Sequence, residues 1–329
     1  MKIRFAQYGV AHAHAAGKAG VLRANPDVEF CGVYEPDPAV RQERGAQEAY
    51  QGVHWFTSGD EILADETIAA VAVEGPVSEN LGIARKALER GKHVWLDKPA
   101  GTDWPAFQDL IALAKGKGLL VQLGYMFRYN AGFEFILDWA REGRLGDVFC
   151  VRGRMSTHLD EERRERLSIY QGGILFELLC HLVDIVVTLL GRPERVTSYL
   201  RNDLGTVPAF KDNTLTVFEY PKAMAMLESA AIEVSPFASR RLEVYGTRGS
   251  AILEPFEEHP SPVLRLCLDE DRNGFVRGWQ RVPVEARPRY AASLAALVAD
   301  IRGEKQPDRS LDHELTVQET VLRAAGVLA

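Results

Sequence analysis

At 329 residues the chain is long for one hydrophobic core and ample for two. Its 46% hydrophobic and 26% charged residues describe an ordinary globular protein, and a net charge of −7 with no Lys/Arg run argues against a nucleic-acid partner. No apolar run approaches the roughly 18 residues that span a bilayer, and the N-terminus reads as a strand rather than a signal segment.

Residues 1–122 alternate between short apolar runs and helical patterns. Strands are expected at Lys2–Tyr8, Val28–Tyr34, Ile68–Val73, Lys92–Leu96 and Leu119–Leu123, with helices over about 12–24, 37–49, 77–90 and 103–117. This spacing predicts βαβ units and a doubly wound parallel sheet, whose ligands bind at the carboxyl ends of the strands. Asn25-Pro26 stops the first helix, Asp37 is placed as an N-cap, and Gly91 sits where a left-handed C-cap is needed. Residues 123–329 form a second domain. It opens with a helix over about 130–142 and a strand at Val148–Met155, and continues through the charged stretch 157–166. That stretch is either a lid or, as favoured here, a solvated face. A helix opened by Gly172-Gly173 follows, then strands from Arg195 to Leu268 that predict a mostly antiparallel sheet, with a turn at Thr247–Ser250. Two helices, 288–303 and 312–327, end the chain.

Three motifs carry chemistry. The first strand runs into Gly9-Val10-Ala11-His12-Ala13-His14, where Gly9 allows a tight turn and Ala11 leaves room for a pyrophosphate to approach the backbone. His14 stands at the third fingerprint position, so the match is degraded, and a plain strand-to-helix turn remains the competing reading. Glu35, 26 residues after Gly9, is placed to meet ribose hydroxyls and to repel a 2′-phosphate, which favours NAD over NADP. His12 and His14 are two apart and do not share a helix face, so they are expected to make polar contacts to the cofactor rather than hold a metal.

The second motif is Lys98, which follows the apolar Val94–Leu96 and precedes Pro99. An amine there faces the ligand crevice and suits acid/base work, although pairing with Asp97 at a strand end is the simpler alternative. The third is the helix after Gly172-Gly173, which carries Glu177, His181 and Asp184 at helical spacing among Leu, Ile and Val. Glu177 and His181 are assigned to a pocket and Asp184 to holding the helix. A metal is not expected, since no second ligand cluster matches this spacing. Together the motifs point to a nicotinamide-dependent enzyme acting on an oxygen-bearing carbon. The scattered Cys31, Cys150, Cys180 and Cys267 point to a reducing, cytoplasmic setting.

The segments "NPDVEFCGVYEPDP", "ALERGKHVWLDKPAGT", "LGYMFRYN", "GGILFELLCHLVD" and "RRLEVYGTRGSAIL", in this order and together with the Gly9 turn, resemble the glucose–fructose oxidoreductase / inositol dehydrogenase / MocA (Gfo/Idh/MocA) family of NAD(P)-dependent oxidoreductases. The resemblance covers nearly the whole chain. It implies an N-terminal Rossmann domain and a C-terminal α+β domain with a large open sheet through which a homodimer or homotetramer forms. It places the family's acid/base lysine on Lys98 and its helix Asp and His on Glu177 and His181. Tyr125, Arg128 and Asn130 become substrate-pocket candidates, and Gly9, Val10, Ala11, His12, His14, Glu35, Pro76 and Lys98 become cofactor contacts. For Tyr125, Arg128 and Asn130, packing at the domain hinge is the competing reading. The chain departs from the family at Asp97, Glu177, His14 and the Glu74–Ser78 stretch. The implied substrates are sugars, polyols or related cyclic compounds. An NAD-dependent glycosidase and a non-catalytic NAD-binding regulator remain as alternatives.

Overall fold

The structure, a computed structural model, describes residues 1–257 and 261–329. It divides into two compact units, Met1–Met126 with Pro288–Leu315 and Phe127–Arg287 with Thr316–Ala329. The boundary expected at 122/123 therefore falls at 126/127, and the C-terminal stretch 288–315 belongs with the N-terminal residues rather than with the second domain.

The first unit is built on β1 (Ile3–Tyr8), β2 (Val28–Tyr34), β3 (Ala70–Val73), β4 (His93–Leu96) and β5 (Val121–Leu123), paired in parallel in the order β2-β1-β3-β4-β5. A lone parallel bridge, Val33 to Trp55, adds the remnant of one more strand beside β2. The helices are α1 (Ala15–Ala24), α2 (Pro38–Gly45), α3 (Gly59–Ala64), α4 (Val77–Glu89) and α5 (Trp104–Lys117). From β1 the chain steps to one side through α1, whereas from β3 it steps to the other through α4 and α5. Right-handed crossovers therefore put these helices on opposite faces. Strand β3 (Ala-Val-Ala-Val) is buried throughout, as a strand covered on both faces must be. The sequence assigns these strands within two residues; the six-residue α3 was not foreseen. The expected caps hold: Asp37 accepts from Ala39 N and Val40 N, and Gly91 has φ +76°.

The second unit contains α6 (Ala131–Arg141), β6 (Val148–Arg154), α7 (Glu161–Leu167) and α8 (Cys180–Leu190), followed by seven more strands. These are β7 (Arg195–Arg201), β8 (Asn213–Glu219), β9 (Met224–Ala230), β10 (Arg241–Gly246), β11 (Gly249–Leu253), β12 (Leu264–Leu268) and β13 (Gly278–Val282). They form one eight-stranded sheet, β13-β12-β11-β10-β6-β9-β8-β7, antiparallel except for the β6–β9 pair. The register aligns Phe218, Ala225, Val151, Val244, Ala251 and Leu266 across one buried face. Helix α8 lies against this face at Gly153, where a methyl would fall 2.6 Å from Leu227 and 2.9 Å from Leu182. The opposite face carries Tyr199 and Leu215 as a cross-strand pair, with Met224 on the next strand β9 and Trp279 on the far edge strand β13, all four exposed. The charged stretch 157–166 runs into the helix α7, capped by Asp160, whose Arg164 is buried on the Leu159 carbonyl and Thr206.

The last two helices are α9 (Ala291–Ile301) and α10 (Leu311–Ala324). Tyr290, Leu294, Leu297 and Val298 of the returning segment join Phe5, Leu22, Val28, Ala70, Ala72 and Trp95 in one cluster. That shared core is why 288–315 belongs to the first unit. No helix among the described residues is long and apolar enough to cross a membrane.

Candidate active site

The turn after β1 lies where the sheet reverses direction, between β1 and β3. Gly9 has φ +88°, and a methyl there would lie 2.6 Å from Gly75 Cα. Both conformation and space therefore require glycine at this position. The turn is pinned by hydrogen bonds from Gly9 N–H to Tyr34 O (2.7 Å) and from His12 N–H to Glu74 O (3.0 Å). Glu35 Oε2 accepts from Val10 N–H at 2.7 Å and Oε1 from Asp37 N–H at 3.0 Å, so this carboxylate ties the end of β2 to the turn. Among the hydrogen bonds of the described residues, none uses the N–H of Ala11, Ala13, Ala16 or Gly17. Helix α1 thus offers unspent donors and its positive dipole end beside two alanines, an arrangement that fits a dinucleotide pyrophosphate. Pro76 N-caps α4 in the neighbouring loop.

Behind the turn lies a cluster that motif reading missed. Lys18, Glu74 and Asp97 are all 0% exposed. The Lys18 ammonium pairs with Glu74 Oε1, lies 3.6 Å from Asp97 Oδ1 and sits 4.7 Å above the Trp95 ring. Asp97 also faces His12 Nδ1 and lies 3.2 Å from His14 Nδ1, and its Oδ1 accepts from Lys98 N–H at 2.7 Å. Gly124 makes the pair sterically feasible, because a methyl there would lie 2.7 Å from Asp97 Oδ1 and 2.8 Å from Lys18 Nζ. Burial alone would raise the Asp97 carboxyl, but His12, Lys18 and His14 outweigh it and hold the group well below the usual range. Burial, with the Asp97 charge added, pushes Glu74 well above its usual range against the opposing pull of Lys18. Burial also pushes the His14 imidazole down to about 4 despite Asp97, and the Lys98 charge adds to that shift.

The expectation that two histidines at i and i+2 diverge rested on helical geometry. Helix α1 begins only at Ala15, so His12 and His14 lie in the turn and both present Nδ1 to Asp97. Ligand atoms of His12, His14 and Asp97 lie within 4.8 Å of one another, a donor set of metal-binding type. The Lys18 ammonium already supplies Asp97 with a buried positive charge, and we read the cluster as a proton-holding network. Tyr290 reaches this network from the returning segment. Its ring lies 5.7 Å from that of His14, and a methyl at Gly17 would fall 2.8 Å from its edge.

In the second unit His181 lies on α8, 1% exposed, with the Phe127 ring edge-on at 5.2 Å. Arg128, a substrate-pocket candidate, is buried and binds Asp184 through Nε (3.1 and 3.0 Å) and Nη2 (2.7 Å), so it anchors α8. Asn130, also expected there, caps α6 by accepting from Gly132 N and Phe133 N. Tyr125 is buried in the first unit. Glu177 and His181 do not share an ordinary helix, because Leu175–Leu179 form a π-helical turn before α8 begins. That wider turn breaks the simple four-residue stacking, and such turns collect at functional sites. Gly172 and Gly173 both have positive φ, and a methyl at Gly173 would meet the Lys211 backbone at 2.5 Å.

Comparison with known proteins supports the same architecture. Residues 3–125 match the oxidoreductase family, NAD-binding Rossmann fold, and residues 133–252 match the GFO/IDH/MocA C-terminal domain. An uncharacterized oxidoreductase of Schizosaccharomyces pombe is 29% identical over 223 residues, 64% of this chain and 59% of the relative. The chain thus spans about three fifths of the length of that relative. The 1,5-anhydro-D-fructose reductase of Ensifer adhaerens is 25% identical, covering 80% of this chain and 79% of the relative. The structure of UDP-N-acetylglucosamine 3-dehydrogenase from Acidithiobacillus ferrooxidans superposes with a TM-score of 0.82 at 18% identity over 100% of this chain and 98% of that one, a likeness of fold.

A pH dependence follows from His14. Unfolded imidazole takes a proton near 6.5, whereas folded His14 resists until about 4, so the unfolded state binds more protons between these values. Stability is therefore expected to fall as pH drops through this window, by roughly 3 kcal/mol from this residue. Urea unfolding of wild type and His14→Asn across that range checks it. The variant should show a flatter profile, and an unchanged profile contradicts the assignment.

Proposed function

The chain belongs to the Gfo/Idh/MocA oxidoreductase family, and from that premise we propose that it transfers a hydride between a nicotinamide dinucleotide and the hydroxyl or carbonyl carbon of a sugar, polyol or related cyclic substrate. The observation that carries this reading is the turn Gly9–His14. It lies at the switch point of the sheet with unspent N–H donors, and its Asp97 partner holds the main chain of Lys98. When bound, the nicotinamide accepts or returns the hydride; the chain supplies everything else. The N–H groups of Ala11, Ala13, Ala16 and Gly17 bind the pyrophosphate. The Glu35 carboxylate meets ribose hydroxyls and disfavours a 2′-phosphate, so NAD is the preferred cofactor. Lys98 and His181 are the acid/base groups that take the hydroxyl proton in oxidation and return it in reduction. Glu177 is assigned to orienting that base. The sugar or polyol class draws support from the relative named as an anhydrofructose reductase.

The open face of the second unit's sheet supports a homodimer or homotetramer. Tyr199 is 59% exposed there, with Leu215 and Met224 exposed on β8 and β9, and Trp279, 56% exposed, stands on the far edge strand β13. The Tyr199–Leu215 pair across β7 and β8 is an apolar contact that such an interface would cover. The four cysteines are free thiols, which supports a reducing, cytoplasmic setting.

Two outcomes are expected. In a panel of polyols, sugars and cyclitols with NAD, Lys98→Met should lower kcat on the best substrate by on the order of 10²-fold or more. Wild-type turnover in that variant contradicts the role of Lys98. By sedimentation velocity, the wild type should be a dimer or tetramer and Leu215→Lys should shift toward monomer. A monomeric wild type removes the sheet-face assembly.

A further inference from the structure

Glu74 ends the all-apolar strand β3 with a carboxyl group that water does not reach. Its Oε1 takes the Lys18 ammonium, and among the described residues no hydrogen-bond donor reaches Oε2. His12 Nδ1 lies 3.9 Å from Oε2, and the Asp97 carboxyl stands within hydrogen-bonding reach of Glu74. Two carboxyl groups therefore share one lysine in a sealed site. With both ionised the trio carries an uncompensated negative charge, and one proton makes it neutral. The groups that face this site come from several elements: Lys18 from α1, His12 and His14 from the turn, and Asp97 and Lys98 from the end of β4. Tyr50, held by Gln7, lies on the same side, and burial raises its hydroxyl with Glu74 adding to the shift. The Glu74 main chain is also part of the turn, through its carbonyl on His12 N–H and the Gly75 backbone packed against Gly9.

We propose that Glu74 is a proton-exchanging residue of the cofactor site. Its carboxyl gives up a proton, by way of His12, whose Nδ1 lies 3.9 Å away and whose ring is partly exposed, when an oxidised, positively charged nicotinamide occupies the strand ends. It takes a proton back once hydride transfer has neutralised the ring. The only bond of Glu74 that breaks or forms is its O–H. The electron pair moves with the hydride from the substrate C–H bond, and the substrate's hydroxyl proton leaves separately through the acid/base groups. This inference rests on the dinucleotide reading given above. Its geometric basis is the placement of Glu74 directly behind the turn and its orphaned oxygen. The upward shift of its carboxyl agrees with a proton being resident in the empty protein.

Isothermal titration of the full chain with NAD⁺ and, separately, NADH, in buffers of different ionisation enthalpy, tests it. NAD⁺ binding is expected to release a large fraction of one proton per site near neutral pH, and NADH binding little. The Kd for NAD⁺ should then fall with rising pH by up to about tenfold per unit, because the ionised carboxylate favours the cation. Glu74→Gln should bind NAD⁺ without proton release, whereas Tyr50→Phe, which removes the other titratable group on that side, should keep the release. NAD⁺ binding without proton release in wild type overturns the inference and leaves the dinucleotide reading intact. Release that survives Glu74→Gln or disappears in Tyr50→Phe overturns it too, by assigning the proton to another group. Failure of wild type to bind either form overturns the dinucleotide reading and this inference with it. Should Glu74→Gln not fold, carbon-13 NMR of glutamate carboxyls in wild type serves instead. One carboxyl should titrate above the ordinary range and move down on adding NAD⁺; a spectrum with no such carboxyl contradicts the assignment.

Discussion

A lysine ammonium sealed from water between two carboxyl groups constrains the N-terminal unit more than any other contact. Removing such charges from water is costly, and the cost is offset only where geometry is close and the remaining atoms are satisfied. The surrounding residues follow from that requirement. Gly124 must lack a side chain so that Lys18 and Asp97 can approach. Trp95 offers its ring face to the ammonium. Asp97, held ionised, is left with oxygens that order His12, His14 and the main chain of Lys98. The third fingerprint position, where a glycine ordinarily lets helix and strand approach, is filled by a histidine that completes the network. The degraded fingerprint and the buried charges are thus one feature: His14 occupies the glycine position because Asp97 gives it a partner.

The second unit uses the opposite device, one buried ion pair and close backbone approaches. Arg128 grips Asp184 with both Nε and Nη2, which fixes the rotation of α8 and with it the direction of His181. Gly153 brings α8 down onto β6, and Gly173 brings the preceding loop against Lys211. Between them the π-helical turn shifts Glu177 away from simple helical register with His181. These contacts hold α8, and His181 on it, in one orientation.

Much of this was legible in the residues. Period-two and period-3.6 patterns placed β1–β5 and the helices α1, α2, α4 and α5, because each strand is short, apolar and bounded by Gly, Pro or charged residues. The motif positions Gly9, Glu35, Lys98 and His181 stand at element ends, where the chemistry of the residue is visible without tertiary contacts. What escaped detection depends on contacts distant in sequence. Strand β13 (Gly-Trp-Gln-Arg-Val) alternates but lies at a sheet edge, so only Val282 is buried. The return of 288–315 to the first unit depends on Tyr290 and Leu294 finding Phe5 and Trp95. Arg128 read as a pocket residue because nothing in its neighbourhood names Asp184, 56 residues away, as its partner. Lys18 did leave a trace. It falls on the buried stripe Ala15, Lys18, Ala19, Leu22, where a lysine is anomalous and calls for a buried acid.

The central claim is that the turn from Gly9 to His14, although its third glycine is a histidine, is a working dinucleotide site read by Glu35. Fluorescence titration of the wild-type protein with NADH and, separately, NADPH tests this most directly. Saturable binding of NADH, tighter than that of NADPH, is the predicted result. Binding of neither would contradict the claim, because the His14 network would then be a structural replacement for the cofactor rather than its support.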